Sequence, residues 1–159
     1  MTAATTFPRD AALEVRDQCL CFAAQRTARE LARRFDRLFA DIGLTNGQFS
    51  MMVAIGGMGG PKLGELATFL GMDHATVTAA IGKLARRKLV TLRADGSDRR
   101  SRRVTITDDG TALIARAVPL WRAEHARLAD EIGRDNARDI RGQLMRMAPP
   151  LRRPAKSAA

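Results

Sequence analysis

LGELATFLGMDHATVTAAIGKLARRKLV, residues 63–90, decides the fold. Leu63, Leu66, Ala67 and Leu70 recur at helical spacing and are stopped by Gly71, which enters the left-handed cap conformation without steric cost. Asp73 is placed to cap a second helix with the apolar stripe Val77, Ala80, Ile81 and Leu84. Two short amphipathic helices joined by a tight glycine turn form the helix-turn-helix pattern, whose second helix can lie in a DNA major groove. Off the stripe, that helix carries His74, Ala75, Thr76, Thr78, Ala79 and Lys83, small or polar residues suited to close approach to base edges. The same pattern also describes an ordinary hairpin of helices, so the flanks must decide.

C-terminal to it, Leu89-Val90-Thr91-Leu92 and Val104-Thr105-Ile106 are short β-type runs around an arginine-rich loop, residues 93–103. A basic hairpin directly after a helix-turn-helix is a wing. Thr107, with Asp108 and Asp109 after it, caps a long helix through Leu113, Ala117, Leu120, Trp121, Leu128 and Ile132, ended by Gly133. A last helix is expected over Asp135 to Met147, then a frayed basic tail, residues 149–159. On the N-terminal side, apolar residues from Leu13 to Ile42 predict one amphipathic helix over residues 10–42, longer than a small domain needs. Thr45 followed by Gln48 is a capping-box signature for a helix through Phe49, Met52, Val53 and Ile55. Gly56, Gly57, Gly59, Gly60 and Pro61 are expected to break it as a turn, since neither a preceding strand nor a Gly-Lys-Ser/Thr sequence fits a phosphate loop.

Charge narrows the function. The 159 residues carry 27 Lys and Arg against 17 Asp and Glu, a net +10, which points to a polyanionic partner. Nine positive charges, including Lys83, Arg86, Arg87, Arg99, Arg100, Arg102 and Arg103, fall within residues 83–103, opposed by Asp95 and Asp98 alone. That segment therefore holds +7 of the +10. Concentration at the end of a recognition helix and on a wing favours double-stranded DNA over a membrane surface, which calls for a basic amphipathic helix. A nonspecific architectural DNA-binding protein is the alternative. No run is long and apolar enough to span a membrane and no signal peptide is read, so the chain is expected to be cytoplasmic. His74 and His125 lack partners at metal spacing and no nucleophile motif occurs, so neither catalytic site, metal nor cofactor is expected.

These residues resemble the MarR family of winged-helix regulators (multiple antibiotic resistance regulators). The likeness runs from about Gly43 to Ala117 and is strongest in residues 63–90 and in DGSDRRSRRVTITDDG, residues 95–110. It covers an LA-x-x-L-G turn, a T-V-T recognition helix, an L-V strand, a D-x-x-D-R-R wing and a T-x-x-G helix start, all in order. The resemblance implies a mostly α winged helix-turn-helix with a small β-hairpin. The division would be a dimerisation helix over 10–42, a DNA-binding domain over 45–107 and dimerisation helices over 108–148. It further implies a homodimer that represses transcription from a pseudo-palindromic operator, with Arg100 at the wing tip oriented by Asp98. Release would follow a small aromatic or phenolic effector, or cysteine oxidation. Phe35, Phe39, Phe49, Met51, Met52 and Trp121 lie on segments able to line an effector cleft, although such spacing also suits a core. Leu20-Cys21-Phe22 resembles the sensor segment of organic-hydroperoxide regulators, but the tyrosines that support their thiolate are absent, since the chain has no tyrosine. On a continuous helix Cys19 and Cys21 point about 200° apart and cannot bridge without unwinding; the alternative reading makes one or both small apolar fillers at the dimer interface.

Overall fold

Phe39, Met52, Ile55, Leu66, Val77, Ile81, Leu84 and Val104 are each less than 2% exposed, and they come from five different elements. Burying such side chains stabilises by about 1.5–3 kcal/mol apiece and sets how those elements meet. The computed structural model describes residues 8–96 and 101–148. In chain order it contains α1 (Arg9–Gln18), α2 (Leu20–Phe39), a 3-10 turn (Ala40–Ile42), α3 (Asn46–Met58), α4 (Leu63–Leu70) and α5 (His74–Arg86). The hairpin strands β1 (Val90–Ala94) and β2 (Arg102–Ile106) and the helices α6 (Asp108–Ile132) and α7 (Arg134–Met147) follow. The fold is mostly helical with one antiparallel hairpin in the register Val90–Ile106, Leu92–Val104 and Ala94–Arg102.

Local chemistry explains the boundaries. Thr45 and Gln48 form a reciprocal capping box at α3, and Thr107 Oγ1 accepts from Gly110 N at 3.0 Å to start α6. Gly43, Gly59 and Gly71 close their helices at positive φ. Gly110, in the first turn of α6, lies directly on the backbone that follows α5. A Cβ there would stand 2.2 Å from the Leu89 carbonyl oxygen, so only glycine fits.

Four expectations are corrected. The N-terminal helix is not continuous over 10–42: Cys19 is extended (φ −78, ψ 108), and its Sγ accepts from Phe22 N at 3.4 Å as the cap of α2. Since α1 buries no residue, no packing holds the two helices in line. α3 runs on through Gly56 and Gly57 to Met58, because burial of Met51, Met52, Ala54 and Ile55 outweighs the low propensity of glycine. The strands are displaced toward the hairpin loop, with Leu89 N bonded to the Leu84 carbonyl at 3.0 Å and Arg93 and Ala94 joining the ladder. α7 starts at Arg134, one residue before the expected Asp135.

Candidate nucleic-acid interface

α5 is anchored by Val77, Ile81 and Leu84, which turn inward. His74, Ala75, Thr76, Thr78, Ala79, Lys83 and Arg86 are thereby left exposed, as their place off the apolar stripe predicts. The threonine hydroxyls are already engaged. Thr76 Oγ1 donates to Asp73 Oδ2 at 2.5 Å and its backbone N–H to Oδ1 at 2.8 Å. Those bonds, led by the hydroxyl, hold the Asp73 carboxyl below its ordinary range. Thr78 Oγ1 donates to the His74 carbonyl oxygen at 2.8 Å and lies 3.4 Å from His74 Nδ1.

Arg87 is exposed, but its guanidinium is engaged by other parts of the chain. Its Nη1 donates to Gln48 Oε1 at 2.9 Å and its Nη2 to the Gly43 carbonyl at 2.7 Å, tying the end of α5 to the α2–α3 junction. Arg102 is exposed on β2. Arg103 Nη1 donates to the Gly60 carbonyl at 3.0 Å while Nε lies 3.4 Å from Asp95 Oδ1. Asp98, Arg99 and Arg100 lie outside the described residues.

Five of the six residues expected along an effector cleft are core residues in the single chain. Phe35, Phe39, Phe49, Met51 and Met52 belong to the core, with Phe39 6.0 Å from Phe35 and 5.0 Å from Phe49 between ring centroids. One-sided aromatic spacing is what a core requires. Trp121 alone is accessible, its ring centred 4.5 Å from that of His125 and tilted 57° to it; burial holds that imidazole below its ordinary pKa, although neighbouring Glu124 pulls the other way. A groove of about 1070 Å³ contains none of the six and is lined instead by residues such as Phe22, Arg26, Leu31, Arg34, Arg37 and Leu128.

Cys19 is half-buried at the α1–α2 break and Cys21 is exposed, its Sγ accepting from Gln25 Nε2 at 3.1 Å. Both border one groove of about 330 Å³ with Val15, Phe22, Arg26 and Arg29. No cluster of three or more His, Cys, Asp or Glu able to hold a metal occurs among the described residues. Nor is any described helix long and apolar enough to cross a membrane.

Sequence reasoning missed two ionic clusters. Asp95 meets Lys62 and Arg103 at the wing base. Arg34 joins α2 to α6 through Glu124 and, at 2.6 Å, Glu131. Lys62 is more than 30 residues from Asp95, and Arg34 is 90 and 97 residues from Glu124 and Glu131, so no local pattern links them.

A family model described as MarR family matches residues 42–101. Among curated proteins, the HTH-type transcriptional repressor NicR of Pseudomonas putida is 33% identical over 88 residues, 55% of this chain. That match spans 56% of NicR, so this chain aligns with only about half of that relative's length. The M. tuberculosis transcriptional regulator MosR, solved in complex with DNA, is 32% identical with a TM-score of 0.75 over 82% of this chain and 93% of that one. The transcriptional repressor CouR, bound to a 23-mer DNA duplex, is 30% identical with a TM-score of 0.77 over 86% of this chain and 97% of its own.

Proposed function

Because this chain belongs to the MarR family of transcriptional regulators and is not an enzyme, we propose that it represses transcription by binding a pseudo-palindromic operator as a homodimer. The observation that carries this reading is the exposed face of α5, small and polar, beside a wing whose strands bear the exposed Arg93 and Arg102. Two such helices related by a two-fold axis enter successive major grooves, with half-sites about 10 bp apart. Lys83 and Arg86 serve the phosphates, and Asp98, Arg99 and Arg100 the wing contact. The dimer forms through the N- and C-terminal helices. α1 and α7 bury no residue in the single chain, and Val15, Leu20, Phe22, Ile140, Leu144 and Met147 are exposed.

Oxidation at Cys19 and Cys21 is the release signal that the geometry favours. Peroxide attacked by a thiolate yields a sulfenic acid, which the second thiol condenses to a disulfide with loss of water. Cys19 is extended and stands outside α2 as its cap, so the two cysteines do not sit on one continuous helix, and bridging would withdraw the Sγ that caps α2. An aromatic effector remains the alternative signal, and Trp121 is the one residue of the expected six accessible to it.

The test is a titration of the protein's own upstream region against random duplex of equal length at fixed salt. Operator affinity about a thousandfold or more above random is expected; a ratio near one would favour the architectural reading. Repeated after mild peroxide, with mass spectrometry to verify thiol loss, the titration is expected to show release. Full binding by the oxidised protein excludes the cysteine switch.

A further inference from the structure

Asp95 and Glu124 are the buried charged residues among those described, and Asp95, 6% exposed, sits at the root of the wing. Its carboxylate faces Lys62 Nζ at 2.6 Å and Arg103 Nε at 3.4 Å, and its N–H donates to the Ser101 carbonyl at 2.9 Å. Lys62 precedes α4, and Arg103 lies on β2. Arg103 also holds the Gly60 carbonyl, Val104 N donates to the Pro61 carbonyl at 3.0 Å, and Lys62 and Arg103 form an isolated antiparallel bridge. The wing is thus stapled to the α3–α4 turn by backbone bonds and by one carboxylate shared between two cations.

We infer that Asp95 is a positioning residue for DNA recognition, fixing the wing's attitude to α5 through Lys62 and Arg103. Burying the Asp95 carboxylate costs desolvation, and its partly exposed partners Lys62 and Arg103 offset that cost with little net gain in stability, so a geometric role is the better account of the cluster. It also removes Lys62 and Arg103 from the set of cations that grip phosphate. The inference rests on the operator-binding reading above.

The two accounts of Asp95 differ in sign. If only net charge mattered, removing an acid near the phosphates would tighten binding to any duplex. Positioning instead requires Asp95→Asn, in the full-length protein, to weaken operator binding by about tenfold or more, the range one well-placed groove contact contributes. Affinity for random duplex is expected to hold or rise. Hydroxyl-radical footprinting is expected to lose the minor-groove protections beside each half-site, while protection of the half-sites themselves survives.

Lys62→Met supplies a second variant that keeps the apolar stem and places no amide at the cluster. Its operator affinity is expected to fall with an unchanged salt slope, whereas loss of a direct phosphate contact lowers the slope by about one. Circular dichroism and thermal melting establish that each variant is folded. Operator binding by Asp95→Asn as tight as wild type, or a slope lowered by one in Lys62→Met, would overturn the inference. A wild-type operator-to-random ratio near one would instead overturn the operator reading, and this inference with it.

Discussion

Thr78 donates its hydroxyl to the carbonyl one turn back, so its γ-methyl is the group left to project from α5. A methyl reads the C5-methyl of thymine, whereas a free hydroxyl would read a base donor or acceptor. Thr78→Val keeps the methyl and Thr78→Ser keeps the hydroxyl. The expected outcome is near-normal operator affinity for valine and a loss of about fourfold for serine, the worth of one buried methyl group. Gel-shift titration checks it, and the reverse order would assign the contact to the hydroxyl. Spacing alone marked Thr76 and Thr78 as facing away from the core, because a helix turns about 100° per residue. Where their hydroxyls point depends on Asp73 and on a local carbonyl, and the apolar pattern carries no information about that.

Arg87 teaches the same lesson for elements. Within a basic run it reads as a phosphate contact, yet its guanidinium spans 39 and 44 residues of sequence to Gln48 and Gly43. Such a fork joins three helices at one point. Arg87→Lys keeps the charge but cannot reproduce the two-pronged geometry. It is expected to cost about 1–3 kcal/mol of stability in urea denaturation, as for hydrogen bonds from a charged donor, and to leave the salt slope of DNA binding unchanged. A slope lowered by about one would return Arg87 to the phosphates. Caps such as Thr45, Asp73 and Thr107, and stops such as Gly43 and Gly71, are legible because the atoms they satisfy lie within a turn of them. The break at Cys19 and the survival of α3 through Gly56 and Gly57 are not, since each depends on whether distant residues bury the segment.

At the scale of the whole molecule, the +10 charge identifies the kind of partner, and the structure divides the cations that produce it. All six of Lys83, Arg86, Arg87, Arg93, Arg102 and Arg103 are exposed, but Arg87 and Arg103 also hold elements together through their guanidinium groups. Unburied apolar side chains define the assembly. Deletion from Gly133 onward removes α7 with Ile140, Leu144 and Met147, and is expected to leave a monomer by sedimentation whose operator affinity falls at least tenfold for want of the second half-site. A stable dimer of the shortened chain would place the interface elsewhere. The helices that form the body of the molecule and the helix that faces DNA are connected where Gly110 rests on Leu89. With no side chain between them, that joint has no play: an ångström of travel in the first turn of α6 has no soft contact to absorb it. It is passed to Leu89, whose own N–H is bonded to the last turn of α5. The smallest residue in the chain is therefore what lets the first turn of α6 seat directly on the backbone that leaves α5.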